Sequence, residues 1–200
     1  MKALFAGEAL SSLKDEALVA LDAAVNSMTE AQLQTDPAVL EGLIDQTLPA
    51  PARILRSEVT FEIGEASLKS FDLLSRPRHE DGILVLLKIP FSGDARYFNV
   101  SAAAGFEALP DGEVEGQTLL VPIPTTSTDE TTVVTEVDAR LDRIERLLAH
   151  QAEEAARWRP ELRQAAVRAI EDRRARLAME TRTIAALEDF GLRQTSASKP

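Results

Sequence analysis

The side chains whose types and spacing could do chemistry fall into a few groups. His79-Glu80-Asp81 sets an imidazole beside two carboxylates, the raw material of a metal site or a general acid-base pair. Consecutive side chains diverge, however, and with Arg76 and Arg78 next to them residues 76–82 read as a solvated, charged turn. Asp94, Asp111 and Glu113 could supply the carboxylates of a magnesium-dependent nucleic-acid enzyme. No lysine follows them to align an attack, Gln117 standing nearby instead, and Pro110-Asp111-Gly112 has the composition of a turn. The serines at 11, 12, 92 and 101 lack a glycine-flanked nucleophile elbow, and there is no glycine-rich phosphate loop. His150 stands alone on a helical stretch, and one imidazole without clustered ligands makes no metal centre. With no cysteine anywhere, disulfides, thiol nucleophiles and iron-sulfur sites are excluded. The sequence therefore points to no catalytic residue, no cofactor and no metal ligand.

Charge narrows the range of partners. The chain carries a formal charge of −11, concentrated in residues 1–135, where 9 Lys or Arg face 21 Asp or Glu; residues 136–200 hold 13 against 12. An acidic body repels phosphate backbones. The one basic concentration, Arg168, Arg173, Arg174, Arg176 and Arg182, is interleaved with Glu171, Asp172 and Glu180, as on a solvated helix face with pairs four residues apart. Nucleic acid is thus disfavoured as a partner. Glu8 and Lys14 interrupt any signal-peptide core, and the longest apolar run, residues 83–87, is far too short to span a bilayer. A cytoplasmic location without membrane insertion is expected.

The elements that would position these residues follow from periodicity. Leu10, Leu13, Ala17, Leu21, Ala24 and Met28 recur at three and four, predicting an amphipathic helix over 6–28. Asp36-Pro37 opens a second helix that shows Leu40, Leu43, Ile44 and Leu48 to a core. Residues 58–63 alternate polar with apolar as a half-buried strand, and residues 83–89 read as a strand covered on both faces. Residues 97–101 and 117–123 predict two more. The expected fold is α+β, with N-terminal helices (1–54), a small antiparallel sheet or sandwich (55–125), a long C-terminal helical hairpin or coiled coil (129–192) and a disordered tail (193–200).

Val134, Val137, Leu141, Ile144, Leu148, Gln151, Ala155 and Trp158 are spaced alternately three and four apart, a heptad seam. Pro160 predicts a break or kink, after which the helix returns; an antiparallel hairpin, with Val167, Ile170 and Leu177 facing much of the seam, is the simplest arrangement, and a single kinked rod is the alternative. The candidate partner-binding residues are Val137, Leu141, Ile144, Leu148, Trp158, Arg173 and Arg174.

Two segments, Ile89-Pro90-Phe91-Ser92-Gly93-Asp94 followed by Phe98, and residues 158–192 with Ala166, Ile170, Arg173, Arg174, Leu177 and Gly191, resemble a module of bacterial proteins, some associated with defence systems. In that module a β-section with a Pro-Phe-x-Gly-Asp motif leads into a helical hairpin, and the resemblance covers roughly residues 55–192. Some members continue into an effector domain such as a nuclease, whereas this sequence stops after the helices. The resemblance implies an adaptor, sensor or scaffold subunit, homo-oligomeric or bound to an effector protein, and it supplies no catalytic residues to carry over to this sequence.

Overall fold

The computed structural model describes residues 2–33, 36–71, 77–101, 109–126 and 129–192. It is a mixed α and β structure: β1 (Lys2–Ala3), α1 (Ser11–Asn26), α2 (Pro37–Thr47), β2 (Arg53–Ile54), β3 (Thr60–Phe71), β4 (Pro77–Ser92), β5 (Asp111–Glu115), β6 (Thr118–Thr125) and α3 (Glu130–Asp189). The proposed tail at 193–200 lies outside the described residues. By internal contacts the chain forms two units, one from residues 1–13 and 49–157, the other from 14–48 and 158–200. Each is thus assembled from two separated stretches, a division that cuts across the sequence order.

The first unit is organised around an antiparallel sheet in the order β1-β5-β6-β4-β2, with β3 also on β4. β4 is its spine, pairing β6 through residues 83–90 and β3 through residues 77–88, while β2 takes residues 91–92 on the β3 side. The register sets Val85 opposite Ile123, Leu87 opposite Val121 and Ile89 opposite Leu119. Side chains alternate across a strand, so these six share one face, and all are buried. Leu84 and Leu86 point to the other face and are only half-buried. The apolar run is therefore fully covered on one face, not on both as its composition predicts.

Two further expectations are corrected here. Residues 77–82, read as a charged turn, are strand: His79 pairs with Lys69 and Asp81 with Ser67 in a long β3–β4 ladder. Ladder pairing outweighs the poor strand propensity of charged residues. Residues 97–101, read as a strand, begin instead with a 3₁₀ turn, Ala95–Phe98, because the Asp94 carboxylate accepts the Arg96 backbone N–H at 2.9 Å. That turn drives Tyr97 and Phe98 into the core, where Phe98 meets Phe91 edge-on at 4.8 Å and Phe5 at 5.9 Å. The turn is reached through Gly93, whose φ of +88° suits glycine and whose missing Cβ would lie 2.4 Å from the Pro51 carbonyl oxygen.

The second unit joins α1 and α2 to the later part of α3 through charged contacts. Asp36 caps α2 by accepting the Ala38 N–H at 2.8 Å, with Pro37 at the first helical position. Arg159 binds Glu41 at 2.9 Å and Asp45 at 2.5 Å; Arg163 also binds Glu41, and Lys14 binds Glu161 at 3.2 Å. Leu40, Leu43, Ile44, Leu162, Ala166 and Ile170 are buried.

The expected hairpin is replaced by one continuous helix. α3 passes through Pro160 without ending. Proline removes one backbone donor and crowds the preceding turn, but the surrounding Ala, Arg, Glu and Gln residues are strong helix formers. Val137, Leu141, Ile144 and Leu148 belong to the first unit, and Val167, Ile170 and Leu177 to the second.

Candidate protein-interaction groove

On the buried face of the sheet, the β3 side runs out beyond the covered core. Phe61, Ile63 and Glu65 of β3 stand opposite Leu87, Val85 and Ile83 of β4. The two-residue period that puts Leu87 and Val85 inside puts Phe61 and Ile63 on the same face, yet they are 63% and 60% exposed, against 2% and 4% for their β4 neighbours. Val134, in the second turn of α3, is 60% exposed as well. Between β3, β4 and the first turns of α3 lies a groove of about 1490 Å³, walled by Val59, Phe61, Ile63, Val133, Val134 and Val137 and floored by Ile83, Val85 and Leu87 of β4.

Its ends differ in charge. Ile83 is opposite both Glu65 of β3 and Thr125 of β6, so Glu65, Asp81 and Glu130 mark the end where β6 gives way to α3. Asp138 lines the groove further along α3 and is neutralised by Arg56, 3.1 Å away. Arg56 also binds Asp142 at 2.5 Å and Glu145 at 2.9 Å, and these carboxylates, Asp142 foremost, hold its proton even more firmly than usual. Among the described residues no basic side chain lines the groove, and no ion pair holds Glu65, Asp81 or Glu130.

The sequence-derived candidates are placed differently. Val137 is half-buried in the groove wall, but Leu141, Ile144 and Leu148 are buried in the chain's own core, as is Trp158. Heptad spacing marks a buried stripe without saying what buries it. Arg174 donates from Nε to the Leu33 carbonyl at 3.0 Å, and Arg173 is half-buried with its Nε unsatisfied among the described residues. Of the carboxylates weighed for a metal, Asp111 and Glu113 lie two positions apart on β5, whereas Asp94 caps the 3₁₀ turn at residues 95–98. Asp94 is engaged by Arg96 at 2.8 Å, a hydrogen bond that lowers its pKa, while Asp111 pairs with Ala3 and Glu113 with Leu120 on β5. Among the described residues no three His, Asp or Glu side chains are grouped to hold a metal ion. No described helix is long and apolar enough to cross a membrane.

Phe61 and Ile63 were missed by sequence reasoning because alternation reports a shared face and not whether that face is covered. The chain matches no protein-family profile, no curated protein and no solved structure.

Proposed function

We propose that this protein is a non-enzymatic adaptor or scaffold subunit of the cytoplasm that acts by binding a protein partner through the groove beside β3. The observation that carries this reading is the continuous apolar surface of Phe61, Ile63 and Val134, left open beside a well-packed sheet. Fully burying a side chain of this size contributes roughly 1.5–3 kcal/mol, and each of these three has more than half of that still to gain. Exposed apolar patches rimmed by polar residues are where partners bind. The resemblance of residues 55–192 to a module associated with bacterial defence supports an effector protein as that partner. A role in phage defence, and any self-assembly, belong to the same proposal.

A photo-crosslinking residue at position 63, with one at Val19 as an exposed control outside the groove, tests it in cells. A discrete protein adduct formed only from position 63 is expected. Equal labelling from both positions, or none from 63, would remove the groove as the binding surface.

A further inference from the structure

Two features of the groove bear on what enters it. The first is the edge of β3. Among the described residues, 60–66 pair with β4 alone, and in an antiparallel ladder every second residue of such a strand directs its N–H and C=O away from its partner. An unprotected edge of this length is a template for another strand. The second feature is charge. The groove face of β3 passes from Phe61 and Ile63 to Glu65, and Asp81 and Glu130 share that acidic end, with no basic side chain in the lining among the described residues.

We infer that the groove accepts an extended segment of a partner protein that adds as a strand to the β3 edge, its apolar side chains over Phe61 and Ile63 and a Lys or Arg at Glu65, Asp81 and Glu130. The inference rests on the groove being a binding surface and adds the chemistry of the occupant. Backbone hydrogen bonds to β3 supply register, alternate apolar side chains fill the space beneath Val134, and the carboxylates select a basic residue at one end. A helix would satisfy the apolar wall but leave the strand edge unused. A nucleic acid would meet like charge.

The test uses the full chain and a displayed library of random twelve-residue peptides, selected on the wild-type protein and counter-selected on Ile63→Asp. Ile63 is exposed, so this variant keeps the fold; Val134→Asp, on the opposite wall, is the second variant. The expected peptides alternate β-branched or aromatic residues and carry Lys or Arg at one end. They bind at least tenfold more weakly to either Asp variant and to the double variant Glu65→Lys/Glu130→Lys. Methylating alternate backbone nitrogens abolishes binding, and bound peptide slows amide exchange in residues 60–66.

Helical peptides that slow exchange only in residues 130–138, or binding indifferent to charge reversal, would overturn the inference while leaving the groove reading intact. Failure of any peptide to enrich, with the position-63 adduct still formed, has the same meaning. A dimer in sedimentation that Ile63→Asp makes monomeric would replace the partner with a second copy. Loss of both peptide enrichment and adduct removes the groove reading itself.

Discussion

Tyr97 shows how much one residue carries once a turn has placed it. Its ring is fully buried and its hydroxyl donates to the Pro49 carbonyl at 3.1 Å. Burial, helped by the charge of Asp94, pushes the phenol up to about 12 from an ordinary 10. The folded protein thus keeps a proton that the unfolded chain gives up first, so the stabilisation is whole below pH 10 and is lost as the pH rises towards 12. Tyr97→Phe should flatten that alkaline slope. At neutral pH it should cost about 1–3 kcal/mol in urea unfolding, because a buried carbonyl loses its donor. Glu41 gives the opposite sign. Hydrogen bonds from Arg163 and then Arg159 hold its carboxyl below the usual range, so it stabilises above pH 4.5 and the contribution falls away as the solution becomes more acidic. Glu41→Gln should therefore lower the thermal midpoint at pH 7, and the difference should shrink as the pH falls below 4.5. A midpoint difference that persists unchanged at pH 3 would show that packing, not charge, is lost.

At the scale of elements, α3 carries a proline where helices do not welcome one. Pro160 is exposed and interior to the helix, so Pro160→Ala should restore a backbone hydrogen bond and stabilise the protein by on the order of 1–3 kcal/mol in denaturant unfolding. A loss of stability would mean that the packing of Trp158 and Leu162 depends on the proline. The same proline explains why the helix was legible in the sequence and its continuity was not. The three-and-four spacing from Val134 to Trp158 identifies a helix and its buried stripe, and Leu141, Ile144 and Leu148 are indeed buried, but whether good helix formers carry the chain through one proline is a balance of a few kcal/mol. Strands were legible where apolar residues faced the core, as in residues 83–89 and 119–123. They were not where pairing alone held charged residues extended, as at His79 and Asp81. In residues 97–101 an aspartate hydrogen-bonded to the backbone two positions on overrode an alternating pattern. The groove was the least legible feature, because Phe61 and Ile63 differ from Leu87 and Val85 only in what lies above them.

At the scale of the whole molecule, the chain's order and its packing units do not coincide. α2 and most of α1 belong with residues 158–189, separated from them in sequence by strands β2 to β6. The contacts that join them are long-range: Glu41 and Asp45 with Arg159, Glu41 with Arg163, Lys14 with Glu161, Asn26 with Arg176, and the Leu33 carbonyl with Arg174. Helices of 16 and 11 residues are marginal in water without tertiary packing. Ending the chain after Arg157 should therefore leave α1 and α2 without their partner surface. The sheet, whose strands and ladder all fall within residues 2–125, keeps its own pairing. Hydrogen exchange on the truncated protein should show amides of residues 14–26 and 37–47 exchanging at least a hundredfold faster, with those of β4 and β6 still protected. Uniform loss of protection would mean that the two units fold as one cooperative body. Unchanged protection in α1 and α2 would mean that their stability comes from residues 1–157 alone.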